Sequence, residues 1–351
     1  MKRLRLLWEL HARGTIAAVA EALNYSPSAV SQQLGILERE AGVPLLRRAG
    51  RTLELTPAGA TLVAETETLL AGLERAEAAL HRVRDEVTGT VRVAAFQTAV
   101  LAIMPQALRR LREQFPALRV EVVQYEPGAA LQETWGRSFD LVVAEQYPGH
   151  AAMHFAGLDR EPLTRDPIKL GIPQRGVTDP QFDHAARLED LASMPWVMEP
   201  RGAASRHWAE QLCRSAGFEP DVRYETADLQ AHVRLIESGN AVALLPSLVH
   251  VGVATQMRLL DVDGAPQRTV FTAARESGGA HPGLTAVRSA LAAEAAALKF
   301  GRTLVVAWRE GGAAQLRRRR LVKSSRWTQF RLRKGTCEGH QLQPAEEPRS
   351  Q

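Results

Sequence analysis

From residue 62 onward, Leu62, Thr66, Leu69, Leu73, Ala76, Leu80, Val83 and Val87 recur at alternating spacings of four and three, the a/d rhythm of a coiled-coil seam. The start of this segment is well specified. Thr56 offers an N-cap hydroxyl, Pro57 suits the first helical position, and no further proline occurs until Pro105. A helix over 57–86 would be about 45 Å long at ~1.5 Å per residue, too long to bury within a small domain. It therefore reads as a linker that pairs with another helix, the alternative being a helix packed on its own domain.

Upstream, the pattern predicts three shorter helices and a hairpin. Residues 3–12 place Leu4, Leu7 and Trp8 on one face, and Gly14 stops the helix. Residues 16–23 present the small apolar side chains Ala17, Val19, Ala20 and Leu23, which let a neighbouring helix approach closely. After the turn Asn24-Tyr25, Ser26 and Pro27 open a third helix running to about residue 40, with Ala29, Val30, Leu34 and Leu37 facing inward. Its other face carries Ser28, Ser31, Gln32 and Gly35. Short hydroxyl and amide side chains at a helix N-terminus suit a major groove, where Gln pairs with adenine and Ser reaches base edges or phosphate. Residues 47–56 then read as a hairpin bearing Arg47, Arg48 and Arg51, placed to follow the DNA backbone or minor groove. A solvated charged loop is the alternative.

Downstream of Thr88-Gly89 the periodicity alternates between strand and helix. Strands are expected at 90–96, 118–124 and 141–145, with helices at 100–114 and 128–136 between them. The same order recurs with strands at 168–172, 196–199, 222–225 and 241–245 and helices at 188–191, 204–216 and 229–238. A strand at 268–274 and a helix at 282–298 would return the chain to the first group. This predicts two α/β lobes with largely parallel sheets and a ligand cleft between them.

The composition fits a folded protein of about two domains: 351 residues, 45% apolar and 24% charged. No apolar run approaches the ~18 residues of a membrane span, so the expectation is a cytoplasmic protein. The net charge of +5 says little about DNA, because residues 1–88 hold 11 basic and 11 acidic side chains, whereas residues 300–351 hold 12 against 4. The basic tail reads as disordered, either an auxiliary phosphate-binding segment or an extension without a specific role. Local placement of charge must carry any nucleic-acid reading.

Catalytic and metal chemistry finds little support. The sequence contains no phosphate loop ending in Gly-Lys-Ser/Thr, no Gly-x-Ser-x-Gly elbow and no His-Glu-x-x-His. His150 and His154 lack a nearby acidic ligand and read as a surface pair. Cys213 and Cys337 lack partners at metal-ligand spacing, which predicts plain thiols. No metal and no cofactor are expected.

The stretch TIAAVAEALNYSPSAVSQQL (15–34), followed by LERE-AGVPLLRRAGRTLELTPAG (37–59), resembles the winged helix-turn-helix of LysR-type transcriptional regulators. The elements carrying the likeness are Ala-Ala-x-x-Leu, Ser-Ala-Val-Ser, Leu-Glu, Gly-Val-Pro-Leu, the arginine wing and Leu-Thr-Pro-Ala-Gly. Pro27-Ser28 departs from the Gln-Pro often found there. The two-lobe order to about residue 299 is similar to the family's effector domain, itself similar to periplasmic solute-binding proteins. The resemblance implies a multidomain fold: an α-helical winged helix-turn-helix head (1–58), a linker and dimerisation helix (59–88), and a two-lobe α/β effector domain (89–299). Lobe I would span about 89–163 and 264–299, and lobe II about 164–263.

The same resemblance implies a sequence-specific regulator modulated by a small-molecule effector of unknown identity. Its expected partners are double-stranded promoter or operator DNA, a second copy of itself as homodimer or homotetramer, the effector, and RNA polymerase as a further candidate. DNA contacts carry over to Ser26, Ser28, Ser31 and Gln32 in the groove and to Arg47, Arg48 and Arg51 on the wing. Effector contacts are expected at the carboxyl ends of strands. Gln97 and Thr98 follow the first strand, where a hydroxyl and free amides would meet an anion or simply cap a helix. Arg201 and Ser205 precede a helix and suit a carboxylate, and Glu145 and Thr226 face the cleft by the same rule. The alternative function is a two-lobe small-molecule-binding or catalytic protein whose head serves only for dimerisation.

Overall fold

The computed structural model describes residues 1–50, 52–83, 86–177 and 180–298. Arg51 and the basic tail 300–351 lie outside the described residues.

Three helices and a hairpin form the head: α1 (Lys2–Arg13), α2 (Ile16–Leu23), α3 (Pro27–Ala41), β1 (Leu46–Ala49) and β2 (Thr52–Leu55). Hydroxyl caps set the helix starts. Thr15 accepts from the Ala18 amide and Ser26 from that of Ala29, while Gly14 ends α1 in the left-handed region at φ 77°. The inward faces of these helices bury Leu7, Trp8, Val19, Val30, Leu34 and Leu37 with Leu45 and Val63.

The linker helix α4 (Pro57–Arg82) starts at the expected Thr56 cap and ends short of residue 86. The expected seam divides along its length. Thr66 is buried on its own chain together with Gly59, Val63 and Ala78, and Leu62 packs against the head core. Leu69, Leu73, Leu80 and, just past the helix end, Val83 remain 51%, 55%, 71% and 83% exposed.

The body begins with β3 (Gly89–Ala95), α5 (Gln97–Ala102), α6 (Met104–Gln114), β4 (Leu118–Gln124), α7 (Pro127–Trp135) and β5 (Leu141–Gln146). The helix expected at 100–114 is two, because Pro105 lacks the amide needed to continue α5 and instead opens α6. β6 (Glu161–Pro173) is much longer than the strand expected at 168–172. Then follow α8 (Pro180–His184), a 3-10 turn at Leu188–Leu191 where a helix was expected, β7 (Pro195–Met198), α9 (Ala204–Ser215), β8 (Asp221–Glu225), α10 (Leu229–Glu237) and β9 (Ala243–Pro246). The chain closes with β10 (Met257–Asp261), β11 (Gln267–Ala274) and α11 (Pro282–Ala297).

The sheets are mixed where largely parallel ones were expected. β4, β3 and β5 run parallel, but β11 returns from the second lobe antiparallel to both β5 and β6. β6 changes partners along its length: through Pro167 it pairs with β11, and from Ile168 onward with β9 and β10. One strand thus runs through both lobes. Pro162, Pro167 and Pro173 hid it in the sequence, since proline cannot donate to a ladder. They are tolerated where the register shifts, where partners change and at the strand end. The first core lies between this sheet and α6 and α11 around Val93, Ile103, Leu141 and Leu291. The second surrounds Leu170, Ile172, Trp196 and Cys213, where burial pushes the thiol up to about 12 and leaves it unreactive.

Candidate functional site

In the head, α3 buries Val30, Leu34 and Leu37 and exposes Ser28, Ser31 and Gln32 on the opposite side. The Ser26 hydroxyl accepts from the Ala29 amide at 3.1 Å and lies 3.0 Å from the Ser28 hydroxyl. Ser26 is thus the cap that orients the helix, and Ser31 and Gln32 present an outward hydroxyl and an outward amide one turn on. On the hairpin, Gly50 turns at φ 63°. Arg47 opposes Glu54 across the strands, its Nη2 2.9 Å from Oε2, while Arg48 on the other face of the hairpin is exposed. Arg47 is thus paired with Glu54, which leaves Arg48 the freer cation of the two.

In the body, a cavity of about 510 Å³ opens between the start of α7 and the β7–α9 connection. Glu126, Glu145 and Met153 line one side, and Glu199, Arg201 and Ser205 the other. Of the expected effector residues, Glu145, Arg201 and Ser205 come together here. Gln97, Thr98 and Thr226 do not line it. Gln97 instead spans the two lobes: its Nε2 donates to Asp228 at 2.7 Å and its Oε1 accepts from the Leu229 amide at 2.9 Å. Thr98 is fully buried and its hydroxyl accepts from Arg268 at 2.6 Å, so it cannot meet an anion in the cleft. The Thr226 hydroxyl accepts from the Asp228 amide at 3.2 Å.

Beneath the cavity, Arg268 on β11 is the centre of a buried ion network. It donates to Asp166 on β6 at 2.9 Å, pairs with Glu145 on β5, and lies 5.0 Å over the Phe96 ring. Burial opposes its charge, but Glu145 and Asp166 outweigh that and hold the guanidinium above its usual value. Burial pushes Glu145 up to about 7 against the pull of Arg268, with Glu199, Asp166 and Glu126 adding repulsion. Burial likewise raises Glu126 and Glu199. Three carboxyl groups therefore crowd one cavity against a single lining guanidinium, Arg201. Within this wall the Ser205 hydroxyl already donates to Glu199, and His150 also lines the cavity.

Glu126, Glu199, Asp166 and Arg268 were missed. The carboxyl-end rule that selected Glu145 applies equally to Glu126, two residues past β4, and to Glu199, directly after β7. No local signal marks Asp166 or Arg268. Among the described residues no group of three His, Cys, Asp or Glu is placed to hold a metal ion, and no helix is long and apolar enough to cross a membrane.

A helix-turn-helix head with an exposed polar reading face, joined to a two-lobe body with an interlobe cavity, defines a DNA-binding regulator of the one-component kind. Comparison gives the family. Residues 1–60 match the bacterial regulatory helix-turn-helix of the lysR family, and residues 84–296 the LysR substrate binding domain. The chain belongs to the LysR family of transcriptional regulators and is a DNA-binding regulator with an effector-binding domain. It is 26% identical over 246 residues to the transcriptional dual regulator GltC of Bacillus subtilis, covering 70% of this chain and 80% of that one. It is also 26% identical over 255 residues to the regulator ClcR of Pseudomonas putida, covering 71% and 83%. A full-length OxyR variant from Pseudomonas aeruginosa shares the fold at TM-score 0.58 and 18% identity, over 82% of this chain and 93% of that one.

Proposed function

We propose that this protein reads operator DNA through Ser28, Ser31 and Gln32 with Arg48 and Arg51 on the wing, and that an effector bound in the interlobe cavity modulates it. The observation that carries this reading is the polar N-terminal face of α3, exposed opposite a fully apolar buried face. Ser26 and Arg47 belong to the same surface as cap and wing support. In the body, Glu145, Arg201 and Ser205 contact the effector directly, joined by Glu126 and Glu199. Gln97 and Thr226 set the lobe closure, and Thr98 holds Arg268. The carboxyl-rich wall is best matched by an effector bearing an amine or several donor groups.

The organisation that fits these roles is a head (1–58), a linker (59–88) and an effector domain (89–299), with lobe I at about 89–163 and 264–299 and lobe II at about 164–263. The partner change of β6 after Pro167 supports a hinge near there. The exposed apolar face of α4 suits pairing with a second copy, as homodimer or homotetramer. RNA polymerase would be met at the promoter in the cytoplasm, and no catalysis is assigned to the chain.

Binding of intact protein, Gln32→Ala and Arg48→Ala to the DNA upstream of its own gene tests the proposal. Each substitution should weaken binding at least about tenfold with folding preserved, as expected for loss of a base or phosphate contact. Unchanged affinity in both would instead favour a two-lobe binding protein whose head only dimerises.

A further inference from the structure

Helix α7 touches both functional regions. Its start, with Glu126, Pro127, Gly128 and Ala129, lines the interlobe cavity. Its other end, about 13 Å away for nine residues at ~1.5 Å each, holds α1 of the head. Arg13 Nη1 and Nη2 donate to the two carboxylate oxygens of Glu133 at 2.6 and 2.8 Å, a fork-to-fork pair that fixes orientation as well as distance. The pair is framed on both sides. Arg13 Nε donates to Glu9 at 2.8 Å, and the Ser138 hydroxyl donates to Glu133 at 2.6 Å. Gln132 Nε2 donates to the Ala12 carbonyl at 3.3 Å, and the Trp8 and Trp135 rings lie 4.9 Å apart.

Just beyond α7, Arg137 adopts φ 67°, a left-handed conformation that is strained for a long side chain. Its guanidinium lies 4.9 Å over Trp8 and donates to Glu67 of α4 at 2.9 Å. The strained turn is thus held in place by the head and the linker. Beside this joint a cleft of about 470 Å³ opens, lined by Trp8, Leu55, Val63, Trp135 and Gly157 among others. Head and body meet through these gripping residues and through Trp135, which packs against both the head core and a body core with free space alongside, so a small displacement of α7 is passed to α1.

We infer that α7 is the transmission element of this regulator: occupancy of the cavity displaces its first turn, and the Arg13–Glu133 pair and the Trp8–Trp135 contact carry that displacement to the DNA-reading head. The inference rests on the proposed effector site and adds the route by which that site acts. It needs no identified effector to be tested.

Ala129 is exposed on the cavity wall, so Ala129→Trp places bulk where a ligand would sit. In otherwise intact protein it should change affinity for the upstream DNA about fivefold or more, a typical coupling between sites, and alter amide exchange across α1. In a Glu133→Gln background both effects should shrink several-fold, leaving only what the Trp8–Trp135 contact passes on. Arg13→Gln supplies the same break from the head side should Glu133→Gln fold poorly. Equal effects of Ala129→Trp with and without the pair, or no effect in either, would overturn the relay. Exchange across α1 is read without DNA, so failure of the relay stays distinguishable from failure of operator reading, which the Gln32→Ala comparison reports.

Discussion

Gln97 and Asp228 clasp the two lobes together. One amide side chain satisfies both the Asp228 carboxylate and the first free amide of α10, at 2.7 and 2.9 Å. The same carboxylate caps α10 through the Gln230 amide at 2.9 Å, so the clasp and the helix start share one residue. Gln97→Ala leaves the Leu229 amide without its partner. Hydrogen exchange at Leu229 should accelerate, and stability should fall by about 1 kcal/mol. Unchanged exchange there would mean that the lobes are held elsewhere, with the Arg268 network the next candidate.

A second prediction concerns pH. Glu145 keeps its proton up to about 7 in the folded protein, above its ordinary 4.5, because it is buried beside other carboxyl groups. A raised folded value means that its contribution to stability is fully present below about 4.5 and is lost as pH rises through about 7. The stability of the intact protein should therefore decline over that window. Glu145→Gln, which cannot ionise, should flatten the decline in melting temperature between pH 5 and pH 7. An identical slope in both proteins would assign the dependence to other groups.

A third separates capping from contact. Ser26→Ala should cost the head about 1 kcal/mol, since the Ala29 amide loses its acceptor. Ser26→Asp keeps an acceptor at that position but sets a negative charge beside the phosphates. It should melt near the parent temperature yet bind DNA more weakly than Ser26→Ala. If Ser26→Asp bound as tightly as the parent, the start of α3 would not face the duplex.

The linker supplies a fourth. Leu69, Leu73 and Leu80 repeat at spacings of four and seven along the exposed side of α4, and a charge at the centre of that seam is incompatible with pairing against a second helix. Leu73→Glu should shift the mass in solution toward the monomer while leaving the thermal unfolding of the body unchanged. A monomeric parent protein, or an oligomer indifferent to this change, would contradict pairing through α4.

Signals within a few residues of each other were legible in the sequence. Ser26 before Pro27, Thr56 before Pro57 and Gly14 after α1 fix helix ends by caps that need no tertiary context. The outward face of α3 follows from where Val30, Leu34 and Leu37 must go. The alternating strands and helices revealed two lobes but not their mixed sheets, because β11 enters the first lobe after nearly a hundred intervening residues, and no local pattern fixes its direction. The Arg268 network joins residues 102 and 123 positions apart, and Arg13 and Glu133 are 120 apart. Each of those side chains looks like ordinary surface charge until the fold brings them together. The cavity carboxyls fall between these cases: their positions obey the strand-end rule, but their mutual crowding exists only in three dimensions.

The most direct test of the whole account is the affinity of the intact protein for the DNA upstream of its own gene, measured beside a scrambled duplex of equal length at two salt concentrations. A sequence-specific reader should prefer the native duplex by about a thousandfold or more, and keep that preference as salt rises and both affinities fall. Equal binding to the two duplexes that collapses together with salt would contradict it, leaving only phosphate attraction to explain the contact.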